Sequence, residues 1–267
     1  MARRIQVMIN GALGKMGRET IKAVTADPEL QLMGMVDLRA RGETLSQITG
    51  SDDPSSLVME NDLELFLGRG KPDIVIDFTN PQVVFENVRS ILQHGVSCVV
   101  GTTGLGELEL KQLEQLAGQK GVGVAVIPNF AIGAVLMMKF ASEASRYFPD
   151  VEIIELHHDQ KMDSPSGTSI KTAELINRER SLRPPRGNME VEKIPGCRGG
   201  DADQVRIHSV RLPGFVAHQE VIFGGVGQSL TIRHDSYDRV GFMPGVIMVV
   251  KKMTGRKGLI YGMENLL

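Results

Sequence analysis

The sequence has no tryptophan, only two cysteines in 267 residues, and almost no net charge, with 30 Lys and Arg set against 32 Asp and Glu. Cys98 and Cys197 lie far apart in dissimilar settings, which excludes a disulfide framework or a cysteine metal knuckle. Cys98, inside the apolar run 96–100, reads as a small core residue. A net charge of −2 supplies no basic field for nucleic acid or an anionic membrane, so the expected partners are small molecules. No apolar run approaches the ~20 residues of a spanning helix. Met1-Ala2-Arg3-Arg4 leads into a strand pattern instead of a signal peptide, so a soluble, cytoplasmic protein is expected. The length suits one large or two medium domains, with a soft aliphatic core drawing on 14 Met.

In the first half, short apolar runs alternate with helical patterns. Residues 5–9 form an apolar run that stops at Asn10-Gly11-Ala12-Leu13-Gly14-Lys15-Met16-Gly17, after which Ile21, Ala23 and Val24 recur at helical spacing. This predicts a strand, a glycine loop and a helix. Gly11 allows the turn, Gly14 lets the backbone approach a pyrophosphate, and Gly17 lets the helix pack on its strand. The spacing is G-x-x-G-x-x-G, with Leu13 where the commoner form has its second glycine. A second strand over 32–36 ends at Asp37, about where a dinucleotide fold places the acid for the adenosine ribose. Asp37 points to NAD, whereas Arg39 and Arg41 can hold a 2′-phosphate, so both NADH and NADPH are expected to bind. Further strands over 73–77, 96–100 and 122–127 end at Phe78-Thr79-Asn80-Pro81, Gly101-Thr102-Thr103-Gly104 and Pro128-Asn129-Phe130, each followed by a predicted helix. Such alternation predicts a parallel sheet with helices on both faces, its ligand lying beyond the strand carboxyl ends. Residues 11–17, 78–81, 101–103 and 128–130 are therefore expected to line one crevice. Taken alone, the Gly-Thr-Thr-Gly stretch also suits a simple turn and Asn129 a helix cap.

The second half centres on Glu155-Leu156-His157-His158-Asp159-Gln160-Lys161-Met162-Asp163-Ser164-Pro165-Ser166-Gly167-Thr168. Val151, Ile153 and Ile154 predict a half-buried strand that delivers this loop. Ile170, Ala173, Leu175 and Ile176 predict an amphipathic helix after it. Two imidazoles and an ammonium then converge on a helix N-terminus, whose unpaired N–H groups and partial positive charge suit an anion. A carboxylate-bearing small molecule is the expected guest, although ionisable loop residues and a Ser-Pro-Ser-Gly turn also occur without function. The Arg-, Pro- and Gly-rich stretch 181–203 reads as a mobile excursion. Strands over 204–212, 217–223 and 228–234 complete a small, mostly antiparallel sheet, and 241–253 returns to helix with Pro244 in its first turn. His208, His218 and His234, like His157-His158, have no metal-ligand spacing, and no metal is expected.

The His-His-x-x-Lys and Ser-Gly-Thr combination, with residues 11–17, Asp77-Phe78-Thr79, residues 101–103, Asn129-Phe130, His218 and Arg239, resembles the dihydrodipicolinate reductase family along nearly the whole chain. Asp37 stands where some members have Glu, and Ser164 where Ala is usual. The resemblance implies an α/β fold: a Rossmann-like parallel-sheet dinucleotide-binding domain, 1–129 plus 239–267, and an inserted α+β domain with a small mixed sheet, 130–238, for substrate binding and oligomerisation. It implies reduction of a cyclic hydroxy-dicarboxylate by NADPH or NADH with loss of water, in lysine and diaminopimelate biosynthesis. By position, Lys161 resembles the proton donor, His157 the proton donor or acceptor, and His158 a substrate ligand, while Gly167 and Thr168 grip a substrate carboxylate. The cofactor would lie against Gly11, Ala12, Leu13, Gly14, Lys15, Met16, Asp37, Arg39, Gly101, Thr102, Thr103, Ile127, Pro128, Asn129 and Phe130. A homotetramer and domain closure about hinges near Asn129 and Arg239 are also implied. Another Rossmann dehydrogenase of aspartate-derived metabolites, or a non-catalytic NAD(P)-sensing module, would share the glycine loop. Neither would require His157, His158, Lys161 and Gly167-Thr168 together.

Overall fold

The first strand, β1 (Ile5–Asn10), buries Val7, Met8 and Ile9 completely. It ends where Gly11 turns the chain into α1 (Lys15–Ala26). The computed structural model describes residues 3–50, 57–181 and 191–267. The expected polar loop at 51–56 and the 182–190 part of the expected excursion lie outside the described residues. Chain contacts define two units, Met1–Phe130 with Phe242–Leu267, and Ala131–Gly241.

In the first unit, β2 (Leu30–Val36), the short helices α2 (Leu45–Thr49) and α3 (Leu63–Arg69), β3 (Ile74–Asp77), α4 (Val84–Gln93), β4 (Ser97–Val100), α5 (Glu107–Lys120) and β5 (Gly123–Val126) follow in order. Local chemistry starts several of these helices: Asp62 accepts from the Leu65 N–H at 2.9 Å to cap α3, and Thr44 and Gln47 form a capping box at α2. The strands form a parallel sheet in the order β2-β1-β3-β4-β5, on which sequence-distant neighbours meet through helical crossovers. Their central residues are apolar on both faces. Each fully buried Val, Ile or Leu contributes roughly 1.5–3 kcal/mol relative to an exposed one. Phe66, Val84, Val88, Ile91, Leu92, Leu113 and Ala117 of α3, α4 and α5 pack with strand residues such as Val75, Cys98 and Val124 in one buried cluster.

Two glycines shape the first turn. Gly11 has φ +81°, and a Cβ there would stand 2.5 Å from the Phe78 carbonyl oxygen. A Cβ on Gly17 would stand 2.3 Å from the Gly11 carbonyl oxygen. Backbone blocks the space at both positions, so only a hydrogen fits.

The second unit holds α6 (Ile132–Ala144), β6 (Asp150–His157), α7 (Gly167–Glu179), β7 (Gly200–Ala202), β8 (Val205–Arg211), β9 (Ala217–Gly225) and β10 (Gln228–Ser236). The sheet order is β10-β9-β6-β8-β7, with β6 and β8 parallel and the other pairs antiparallel, so it is a mixed sheet. Alternation sets its faces. Val151, Ile153 and Glu155 point to the buried side, whereas Glu152, Ile154 and Leu156 lie half-buried on the other. The expected excursion 181–203 is corrected at its end, where β7 pairs with β8 through a tight turn. Asp203 and Gln204 carry φ +51° and +70° there, values that hairpin turns need and Asn-Gly usually supplies. Arg180 holds the turn instead, donating to the Asp203 and Gln204 carbonyls.

A 3-10 turn, Arg239–Phe242, precedes α8 (Met243–Met253), with Pro244 in its first turn, where no N–H is needed. The helix packs on α1, β4 and β5 of the first unit. The tail then adds β11 (Gly258–Tyr261) parallel to β5, making a sixth strand that the sequence pattern did not announce. Among the described residues, no helix is long and apolar enough to cross a membrane.

Candidate active site

All four predicted strand-end segments of the first unit leave the same edge of one parallel sheet. β1, β3, β4 and β5 are consecutive neighbours with aligned carboxyl ends. Asp77, wholly buried at the end of β3, ties the ends of β1, β3 and β4 together. Its carboxylate accepts from Asn10 Nδ2 at 2.8 Å, Thr79 Oγ1 at 2.6 Å, Asn87 Nδ2 at 3.2 Å and Thr102 Oγ1 at 3.1 Å. A carboxylate so supplied is satisfied despite its burial, and the Thr79 and Thr102 loops are fixed as a consequence. Asn10, Asn87 and the role of Asp77 were not foreseen. An acid closing an apolar strand was the available signal.

Around the glycine loop, Asp37 is 6% exposed and acts as a second fixed acceptor. Its Oδ2 takes the Leu13 N–H at 3.0 Å, and Arg39 donates from Nε at 3.0 Å and Nη2 at 3.2 Å. Burial alone would raise this carboxyl, but the Arg39 and backbone donors outweigh it and hold the group below its ordinary value. Ala12 is buried, Leu13, Gly14 and Met16 are half-buried, and Lys15 is exposed at the start of α1. No side-chain cap occupies the start of α1, which Gly14 precedes in an extended conformation. Thr103 and Pro128 are exposed and Asn129 is half-buried, but Ile127 and Phe130 are core residues. Phe130 meets Phe78 edge-on, ring centroids 5.6 Å apart, beside Gly101. Of those two, therefore, only the backbone remains available to a ligand.

In the second unit, β6 ends at His157 and the chain runs through His158, Lys161 and a cis Ser164–Pro165 peptide into α7. Ser166 caps α7 by accepting the Ser169 N–H at 3.2 Å. Its hydroxyl also meets that of Ser169, which donates to Gln219 at 2.9 Å, while Gln219 donates to Thr172 at 2.8 Å. This buried chain anchors the helix start to β9. The N–H groups of Gly167 and Thr168 belong to the first turn, where intrahelical acceptors do not exist. Gly167 is exposed, with nothing within 4 Å of where a Cβ on it would be, and Thr168 is half-buried.

His158 is exposed, whereas the His157 side chain is 15% exposed and bonded to Glu155 through Nδ1. Glu155, fully buried, also receives Arg211 at 2.7 and 2.9 Å. Burial pushes Glu155 upward, but hydrogen bonds from Arg211, Ser209 and His157 prevail, and the carboxyl stays below its usual range. For His157 burial dominates over the attraction of Glu155, so the imidazole is held below its ordinary value and is neutral at pH 7. Lys161 Nζ lies 2.7 and 2.8 Å from the two oxygens of Asp163. Asp163 thus occupies the ammonium that an anionic ligand would need, a competitor not foreseen from the sequence. His208 pairs with Glu152 at 2.8 Å and His218 with Asp235 at 2.6 Å, so both are satisfied strand histidines.

Together, the doubly covered parallel sheet with its glycine turn, and the mixed-sheet unit presenting a cationic loop, define a two-unit α/β oxidoreductase of the Rossmann-like class. Comparison with known proteins narrows the class. The family model described as dihydrodipicolinate reductase, N-terminus, matches residues 5–130, and that for dihydrodipicolinate reductase, C-terminus, matches 133–267. The chain belongs to the dihydrodipicolinate reductase family, whose members use a nicotinamide dinucleotide. It is 66% identical, over the full length of both chains, to 4-hydroxy-tetrahydrodipicolinate reductase of Syntrophomonas wolfei subsp. wolfei. It is 48% identical to that of Desulfitobacterium hafniense strain Y51 over 99% of each chain. Among solved structures, dipicolinate-bound dihydrodipicolinate reductase from Paenisporosarcina sp. TG-14 superimposes with a TM-score of 0.89 at 45% identity, covering 99% of this chain and 100% of that one.

Proposed function

We propose that the chain reduces 4-hydroxy-tetrahydrodipicolinate to tetrahydrodipicolinate with NADPH or NADH, releasing water, as a cytoplasmic step of lysine and diaminopimelate biosynthesis. The observation that carries this reading is the single loop after β6, which joins His157, His158 and Lys161 to the amide turn at Gly167 and Thr168. A dianionic ring needs two anion-binding clamps, and the Lys161 ammonium and the α7 N-terminus are two. The relative from Paenisporosarcina is described with dipicolinate bound, a planar ring of that charge.

In this reading Gly167 and Thr168 hold one substrate carboxylate through their N–H groups, and His158 contacts the ring. Lys161, leaving Asp163 for the second carboxylate, supplies a proton. Neutral His157 accepts the proton that departs with the hydroxyl during loss of water and returns one to the enamine carbon after hydride addition. The balance is substrate plus NAD(P)H plus H⁺ giving product, NAD(P)⁺ and water. Protonation after hydride transfer prevents reversal, which makes a fixed proton source near the ring worth its desolvation. Residues 11–16 with Asp37, Arg39 and the 101–103 and 127–130 segments would hold the dinucleotide that supplies the hydride. Their common sheet edge supports this.

A homotetramer built through the outer face of the mixed sheet completes the proposal. That face carries half-buried Ile154, Leu156, Val210 and Ile222 among charged neighbours, an apolar strip suited to a second sheet. The test of the function is direct: the purified chain is mixed with NADPH and the condensation product of pyruvate and aspartate semialdehyde, and the nicotinamide absorbance is followed. Its fall at a rate proportional to enzyme is expected. An unchanged absorbance would identify a dinucleotide-binding protein without this activity.

A further inference from the structure

Glu155 has no solvent exposure, yet it follows the apolar Val151 and Ile153 along the covered face of the sheet. As a mere fastener between β6 and β8 it would be a poor choice, because apolar residues of similar volume join strands at least as well as a buried ion pair. Its contacts go further than fastening. One oxygen receives Arg211 Nη2 at 2.7 Å, and the other receives Arg211 Nη1 at 2.9 Å and also the His157 ring through Nδ1. Arg211 Nη2 reaches on to the Asp163 carbonyl at 2.8 Å, and the Asp163 carboxylate holds Lys161. A continuous chain of polar contacts therefore runs His157, Glu155, Arg211, Asp163, Lys161, linking the two groups that the proposed function uses for proton exchange.

The chemistry of the pair dictates a tautomer. An ionised carboxylate has acceptors only, so the ring nitrogen facing it must carry the hydrogen. That leaves Nε2, which makes no hydrogen bond among the described residues, with the lone pair. Each group facing the ring is accounted for: Glu155 on β6 itself, Arg211 on β8 and Lys161 on the loop are charged, and β9 places neutral Ala217 opposite.

We propose that Glu155, acting with Arg211, is a positioning residue for His157: it holds the imidazole as the Nδ1–H tautomer, presents Nε2 for proton exchange, and couples the ring to the loop that carries Lys161. The same arrangement, a carboxylate orienting an imidazole by its far nitrogen, serves the proton-exchanging histidine of the Ser-His-Asp triad. The inference rests on the reading of this loop as the proton-exchanging part of a reductase site.

Two measurements test it, and the first needs no activity. Nitrogen-15 spectra of the histidine-labelled intact chain, with the His157 signals assigned by their loss in His157→Gln, should show Nδ1 protonated and Nε2 bare at neutral pH. In Glu155→Gln, whose amide can itself donate, the proton should pass to Nε2 or divide between the nitrogens. Turnover should then fall on the order of 10²-fold, as for loss of a general base, with KM and cofactor affinity nearly unchanged. The acid limb of kcat/KM should also move to lower pH, because the imidazolium loses its counter-charge. A purely structural role would lower thermal stability and leave tautomer and pH limb in place. Arg211→Lys, which keeps the charge, covers the case in which Glu155→Gln does not fold, and should give a smaller loss of kcat. A wild-type His157 with its hydrogen on Nε2, or a Glu155→Gln enzyme with full kcat and an unmoved limb, overturns the proposal. If the wild-type chain itself fails to oxidise NADPH, the functional reading falls, while the tautomer spectrum still decides the part played by Glu155.

Discussion

The Arg39 guanidinium lies edge-on to the Asp37 carboxylate, with Nε at 3.0 Å and Nη2 at 3.2 Å from its oxygens, and the arginine is 70% exposed while the aspartate is 6% exposed. The buried partner is fixed and the exposed one can turn away. Asp37 is also bonded to the Leu13 N–H, so it is part of the glycine loop and not free to leave. A 2′-phosphate arriving here would meet a carboxylate already neutralised by an arginine, with further donors on that arginine to offer. Arg39→Ala should therefore raise KM for NADPH by on the order of tenfold, equivalent to about 1.4 kcal/mol, and leave KM for NADH within about twofold. Initial rates with each cofactor give the answer. Equal losses with both would remove Arg39 from discrimination.

Gly17 supplies a harsher test of the first unit. A methyl group there would stand 2.3 Å from the Gly11 oxygen and 2.8 Å from the Ala12 Cα, both of them backbone atoms that cannot step aside like a side chain. Gly17→Ala should force α1 away from β1 at a cost of about 1–3 kcal/mol. It should weaken both NADH and NADPH binding, because the loop before the helix shifts. Thermal unfolding and dinucleotide titration by fluorescence check the two parts separately, and an unchanged melting temperature would show that the helix has room.

Periodicity and glycine placement made the first unit legible, since four apolar runs each ended in a small or polar turn and each was followed by a helical pattern. The stretch from His157 to Thr168 stood out because its ionisable side chains are contiguous in sequence, and it lies between β6 and α7 as the strand and helix patterns implied. What escaped depends on distant partners. Glu155 looks like a surface acid in an alternating strand until Arg211, 56 residues on, arrives from a strand that was expected but whose parallel place beside β6 no local pattern announces. Ile154 read as equivalent to Val151 and Ile153, but a pleated strand sends it to the other face. β7, at three residues, is too short for periodicity to register, and β11 is no shorter than β3, β4 or β5 but lacks the helical pattern that followed each of those; each exists because a neighbouring strand, β8 or β5, offers an edge.

Two histidines of the second unit give the stability a pH dependence. Burial holds His157 and His234 below the ordinary imidazole value of 6.5, against the attraction of Glu155 and Asp235 respectively. The unfolded chain therefore binds more protons than the folded one as pH falls below about 6.5, and stability must fall with it. The contribution is complete above that value and is lost between it and the lower folded-state values. Glu155 and Asp37 act in the same direction further down: their carboxyls are depressed in the fold, so their stabilisation is full above about 4.5 and lost as pH falls through the folded values. The melting temperature should decline in two stages from pH 7 to pH 3. His234→Gln should flatten the first stage, and a wild-type melting temperature independent of pH between 7 and 5 would contradict the neutral burial of both rings.

Lys161 decides whether the loop does chemistry or only binds. Its ammonium is bonded to the Asp163 carboxylate at 2.7 and 2.8 Å, and the aspartate side chain is 65% exposed, so the pair can open when a better anion arrives. Such an exposed pair is worth little, roughly 0–1 kcal/mol, and a substrate carboxylate held at its other end by α7 can displace it. Lys161→Ala should lower kcat by on the order of 10²- to 10⁴-fold if the ammonium donates a proton in the transition state. It should also raise KM for the dicarboxylate while leaving NADPH affinity nearly intact, because the dinucleotide loop belongs to other strands. Lys161→Arg separates the two functions: its charge keeps substrate affinity within a few-fold, but a guanidinium does not give up a proton near neutral pH, so kcat should stay as low as in the alanine variant. Steady-state kinetics on the three proteins measure both quantities, and an arginine variant with wild-type kcat would reduce Lys161 to an electrostatic clamp.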